Sequence, residues 1–132
     1  MIKVRINDRE FYAQIDGVLQ DISWDGRDTK TINFADYPDY DTVKDLFVEG
    51  CHWESINEWD EQVQKVDAEG NPMFDEEGNP IMEAITHRDV YDESEYSVAG
   101  AITDYRDGRV SVKMGKLTDV EEVLEDIYGG IS

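Results

Sequence analysis

The chain has a single cysteine, Cys51, so no internal disulfide can form and a reducing compartment is expected. No apolar run approaches the roughly 18 residues that a membrane-spanning helix needs. The start, Met1-Ile2-Lys3-Val4-Arg5, alternates like a strand and lacks the build of a secretory leader, so a cytoplasmic protein is expected. Basic residues are scarce: 12 Lys and Arg stand against 32 Asp and Glu, a net charge of −20. Such a surface repels nucleic acid and anionic membranes, and it attracts basic protein surfaces or cations. There is no Gly-x-Ser-x-Gly elbow, no glycine-rich phosphate loop and no His-Glu-x-x-His. The soft metal ligands amount to Cys51, His52 and His87. Adjacent Cys51 and His52 on a strand would point to opposite faces, and a structural zinc site wants four ligands. A non-enzymatic protein without cofactor or metal is therefore expected.

What is present is enough apolar and aromatic material for one domain spanning residues 1–132. Three Trp, seven Tyr and four Phe argue against wholesale disorder. The C-terminal third is the most regular part. Tyr96, Val98, Gly100 and Ile102 alternate with polar or small residues. A turn at Asp104-Tyr105-Arg106-Asp107-Gly108 follows, and then Val110, Val112 and Met114 alternate again. This pattern predicts a hairpin. Thr118-Asp119-Val120-Glu121 is a capping box, and Val120, Val123, Leu124, Ile127 and Tyr128 follow at helical spacing before Gly129-Gly130. The helix is expected to cover the sheet and to bury Val123, Leu124 and Ile127.

Earlier in the chain, Ile2, Val4 and Ile6 pair in pattern with Phe11, Ala13 and Ile15 as a first hairpin, broken at Asp16-Gly17. Ile32 and Phe34 mark another strand. A helix is expected over 42–49, where Val43, Leu46 and Phe47 share a face and Gly50 stops it. Residues 51–56 read as the next strand. Residues 58–95 change character: thirteen acidic residues, two basic ones and little alternation. Within them Gly-Asn-Pro occurs twice, at Gly70-Asn71-Pro72 and Gly78-Asn79-Pro80, each forcing a turn. An acidic, turn-rich protrusion is expected there, with an edge strand over 85–91. The turns lack the register of an EF-hand loop and read as solvated acidic turns rather than calcium sites. The fold expected is α+β: one antiparallel sheet of about six strands, two helices and the protrusion.

Several strings carry a resemblance. They are Trp24-Asp25-Gly26-Arg27-Asp28-Thr29-Lys30-Thr31-Ile32, the Leu46-Phe47-Val48-Glu49-Gly50 helix end, and the closing series Tyr96-Ser97-Val98-Ala99-Gly100, Ile102-Thr103-Asp104, Arg106-Asp107-Gly108 and Val112-Lys113-Met114-Gly115-Lys116. Together they span most of the chain outside the acidic insertion, and they resemble small acidic proteins of phages and prophages of Gram-positive bacteria. The resemblance implies a mobile-element origin and assigns no residue a role.

Acidic and aromatic residues interleave at Asp36, Tyr37, Asp39, Tyr40 and Asp41, and again at Glu58, Trp59, Asp60 and Glu61. Carboxylates on a rigid frame can imitate a row of phosphates, with Tyr and Trp as anchors. These nine residues are the expected binding set. The partner would be a basic protein surface, such as a host nuclease or other nucleic-acid-binding defence enzyme that the protein inhibits in the host cytoplasm. The alternative is a small tail or baseplate component in the virion, whose protrusion meets other phage structural proteins.

Overall fold

The computed structural model describes residues 1–129. Eight strands form two antiparallel sheets, accompanied by two α-helices. In chain order the strands are β1 (Ile2–Ile6), β2 (Arg9–Tyr12), β3 (Gln14–Asp21), β4 (Arg27–Phe34), β5 (Glu54–Gln64), β6 (Met82–Asp92), β7 (Val98–Asp104) and β8 (Val110–Gly115). The helices are α1 (Tyr40–Leu46), between β4 and β5, and α2 (Asp119–Gly129), after β8. The first sheet has the order β2-β1-β5-β6 and the second β3-β4-β8-β7.

The α+β class is as expected, but the single sheet of about six strands is corrected to two sheets of four. The cause lies at Ala13. Its amide donates to the Ile2 carbonyl at 3.1 Å as the last rung of β1–β2, and the chain then crosses to the other sheet. Phe11 and Ile15 therefore sit in different sheets, although both pack on one core. Asp16-Gly17 does not end the strand, because β3 runs through it, paired with Thr31 and Lys30 of β4.

One core serves both sheets. Val4, Ile6 and Phe11 from the first meet Ile32, Phe34, Val110, Val112 and Met114 from the second, with Val43, Leu46, Phe47 and Trp53 closing the end. The α1 helix begins earlier and ends sooner than the pattern suggested. Asp39 caps it, its Oδ1 accepting the Thr42 amide at 2.9 Å, and Phe47 leaves helical geometry at ψ 68°.

The capping box at α2 forms as written: the Thr118 amide donates to Glu121 Oε1 at 2.9 Å, and the Glu121 amide donates to Thr118 Oγ1 at 3.3 Å. The apolar face of that helix, however, is not buried. Val123 is 56% exposed, Leu124 45% and Ile127 53%. The two sheets and α1 already close the core, so nothing is left for α2 to cover. It is held instead near its start, where Arg27 binds Glu121 at 2.8 Å. The Tyr128 side chain and Gly130 lie outside the described residues. Leu124→Ala should accordingly cost about half a kcal/mol or less, as for a surface substitution. A loss in urea unfolding of about 2 kcal/mol or more would mean that the helix packs on the body.

Candidate binding surface

The acidic segment 58–95 has far more order than its composition suggests. β5 and β6 pair without a register break over eleven rungs, from Glu54↔Asp92 to Gln64↔Met82. β1 accompanies β5 only as far as Asn57 and a last exchange with Glu58. From Trp59 outward the ribbon has two strands, and six residues of strand span about 20 Å. At its end the chain folds back twice. Val66 bridges to Pro72 and Phe74 to Pro80, while Met73 lies between Lys65 and Ile81, bonded to both. The repeat makes two like turns. Asp67 Oδ1 accepts the amides of Glu69 and Asn71 at 2.9 and 3.0 Å, and Asp75 Oδ1 accepts those of Glu77 and Asn79, both at 2.9 Å. Gly70 and Gly78 both sit at φ 84°, where a side chain would be strained. These backbone bonds hold the Asp67 carboxyl below its ordinary range and make it a brace for the turn.

The structure distributes the nine expected binding residues over three places. Asp36, Tyr37 and Asp39 lie in the loop after β4, with Tyr40 and Asp41 in the first turn of α1. Tyr37 is fixed there: its hydroxyl accepts from Arg9, and its ring lies 5.6 Å from that of Phe11. Asp39 spends its carboxylate on the helix cap, where bonds from the Thr42 side chain and amide keep its pKa low. Asp36 and Asp41 are exposed and make no ion pair among the described residues.

The β5 set divides between the two faces of the ribbon, because successive side chains alternate. Glu58 and Asp60 share one face, Trp59 and Glu61 the other. Glu58 lies 3.2 Å from Lys3 and 3.1 Å from Arg88, and Arg88 in turn reaches Glu10 at 2.7 Å. These contacts cross the whole first sheet. They raise the Lys3 pKa, mainly through the bond to Glu58, and lower that of Glu10, mainly through Arg88. Ile56, which lies opposite Lys3 on the same sheet, is fully buried. Asp60 accepts from Thr86 Oγ1 at 2.7 Å. On the other face Trp59 stacks on His87, with ring centroids 5.4 Å apart, and Glu61 meets the same imidazole at 2.7 Å. The loop group joins the first sheet at β2 and the ribbon group at β5, so no single acidic row unites them.

Apart from Trp59, sequence reasoning passed over the apolar side chains of the ribbon and its tip. Trp59, Val66, Phe74, Met82, Ile85, Val90 and Tyr91 are all exposed. Their signal is faint because both faces of the ribbon are open, so burial imposes no period.

Other sites offer less chemistry. Cys51 is half-buried against the core, and burial pushes its thiol up. A concavity of about 710 Å³ is lined by Met1, Tyr12, Asn33, Ala35, Tyr105 and Arg109 among others. Its cation is already engaged, since Arg109 binds Asp107 at 2.8 Å. Among the described residues no group of three or more His, Cys, Asp or Glu is placed to hold a metal, and no helix is long and apolar enough to cross a membrane. Comparison of the chain with protein-family models, with curated proteins and with solved structures finds no match.

Proposed function

We propose that this is a non-enzymatic binding protein that docks through its β5–β6 arm, as a small structural component of a phage tail, baseplate or comparable assembly. The observation that carries the reading is the arm itself. Its outer half extends past the body while exposing Trp59, Val66, Phe74, Met82 and Ile85. A lone two-stranded ribbon gains little by folding on its own, and clustered exposed apolar side chains mark contact surfaces. The engagement of Glu58, Asp60 and Glu61 within the chain also favours the arm over a free acidic row. The charge points to a basic partner.

A second reading keeps its own support. Among the described residues Asp36 and Asp41 make no ion pair, and they stand beside exposed Tyr37 and Tyr40. An inhibitor that occupies the nucleic-acid groove of a host defence enzyme would use such a loop.

One experiment separates the two. Asp60 and Thr86 are paired, so residues 61–85 can be replaced by an Asn-Gly turn, which suits a two-residue hairpin. Every residue of the core lies outside that segment, and the shortened protein should unfold cooperatively near the parent midpoint. It should lose its partner, captured from phage-infected cell lysate, at least tenfold. Added oligonucleotide should not displace that partner from the full-length protein. Full retention by the shortened protein would overturn the arm reading. Displacement by oligonucleotide, steeply weakened by salt over a Debye length of about 8 Å, would establish the inhibitor instead.

A further inference from the structure

The backbone of the arm has a direction that its side chains do not show. Met1 and Glu58 exchange both main-chain bonds, at 2.8 and 2.9 Å. Even-numbered residues of β5 therefore address β1, and odd-numbered ones address β6. The Lys65 amide, donating to the Ile81 carbonyl at 2.7 Å, keeps the same phase. Through the pairs Trp59↔His87 and Glu61↔Ile85, odd-numbered residues of β6 turn toward β5. Ala84, Thr86, Arg88 and Val90 then turn their amides and carbonyls to the free edge of the sheet.

Unpaired edges template association, and proteins normally guard them. Three of the four edges here are guarded. β2 has only four residues. The β3 ladder shifts register between Val18 and Asp21. The β7 ladder shifts between Ala99 and Ile102, and that edge is further occupied: Ala99 N–H donates to Glu49 Oε2 at 2.7 Å, and the Ser97 carbonyl accepts the Gly50 amide at 2.9 Å. β6 has none of these devices. It runs for eleven residues with no bulge, proline or lysine. Its one arginine, Arg88, is drawn inward across the sheet to Glu10 and Glu58.

We propose that the free edge of β6 takes an extended segment of a partner protein by strand addition, and that this segment alternates basic and apolar side chains. The proposal rests on the arm being the contact surface. One face of β6 presents Glu83, Ile85, His87, Asp89 and Tyr91 in alternation with the other face. An added strand would place side chains directly across from these. Basic residues suit the face that carries Glu83 and Asp89, and apolar ones suit the other face, which carries Met82, Ala84 and Val90. A second copy of the chain fits poorly, because it brings another net charge of −20 to the same edge.

The test uses a nine-residue peptide of alternating Lys and Val, the same peptide N-methylated at alternate residues, and a version with Glu for Lys. Amide hydrogen exchange is followed by NMR. With the first peptide, exchange at Ala84, Thr86, Arg88 and Val90 should slow at least tenfold, and the other two peptides should leave it unchanged. Ala84→Pro and Thr86→Pro remove amides that donate to nothing within the sheet, so both variants should stay folded and bind the peptide at least tenfold more weakly. The absence of saturable binding at millimolar peptide, protection elsewhere, or equal protection by the methylated peptide would overturn the proposal. Protection that grows with protein concentration and needs no peptide would assign the edge to a second copy and equally overturn it. Loss of the captured partner on shortening the arm, with retention by both proline variants, would sink strand addition and leave the arm reading standing. Retention by the shortened protein would sink the arm reading itself.

Discussion

Trp53→Ala is expected to lower stability by about 3–5 kcal/mol, the upper range for a truncated core residue. A domain of this size has roughly 5–15 kcal/mol in total, so the variant should sit close to its unfolding threshold. The size of the effect comes from position. Trp53 is 1% exposed and lies just ahead of β5, on the link that runs from α1 into the first sheet. Its ring meets Phe47 edge-on at 6.2 Å, Phe47 lies 6.0 Å from Phe34, and Phe34 lies 6.0 Å from Phe11. The four rings link β2, β4 and the end of α1. The indole N–H donates to the Tyr96 carbonyl at 2.9 Å, fixing the chain that leads into β7. Alanine leaves a ring-sized void among residues that are held from every side and cannot close on it. Urea unfolding gives the measure, and Trp53→Phe should recover most of the loss because it keeps an edge contact to Phe47. A cost under about 1.5 kcal/mol for Trp53→Ala would mean that the neighbouring rings collapse into the space.

How much of this was legible in the sequence depended on whether burial imposed a period. The β7–β8 hairpin and the α2 capping box could be read because pattern, turn residues and caps agreed. The edge strand expected over 85–91 lies within β6, but its full extent from Met82 to Asp92 could not be read, because its side chains are exposed and burial sets no period there. The division into two sheets could not be read. Strands β2 and β3 are separated by Ala13 alone, and alternation continues through the crossing as if the strand had not changed partners. Leu19 and Val18 are exposed in β3, so its outer half gives no apolar signal. In α2 the amphipathic pattern was real, but a pattern records what a helix could bury, not whether the body still has a face to offer it. Of the binding set, exposure was legible and engagement was not. Nothing in the order Glu58-Trp59-Asp60-Glu61 foretells that Lys3, Thr86 and His87 stand opposite.

Gly100→Ala should destabilise the protein by about 1–3 kcal/mol, the usual cost of overpacking. In an ordinary strand position the same change would be favourable, since alanine restricts the unfolded chain more than glycine does. The sign is therefore diagnostic. A Cβ at Gly100 would lie 2.6 Å from the Lys113 carbonyl oxygen and 2.7 Å from two ring carbons of Trp24. The carbonyl belongs to the neighbouring strand β8 and cannot retreat without opening the ladder, so Trp24 must move. That ring supports more than itself. The Arg27 guanidinium lies 4.6 Å from its centroid, is buried, and donates to the Lys116 carbonyl at 3.0 Å and to both carboxylate oxygens of Glu121 at 2.8 and 3.2 Å. Gly115 on β8 leaves room for the same group, since a Cβ there would lie 2.6 Å from the Arg27 Cδ. Trp24, Arg27 and Glu121 thus form one chain of contacts from the outer face of the second sheet to the start of α2. Displacing the ring should loosen that helix as well as lower the unfolding midpoint, and α2 should become sensitive to limited proteolysis while the two sheets resist. The double variant Gly100→Ala, Trp24→Ala tests the cause, because with the ring gone one of the two clashes is relieved and the two costs should sum to less than additivity. Additive losses, or a neutral Gly100→Ala, would show that Trp24 does not rest on this glycine.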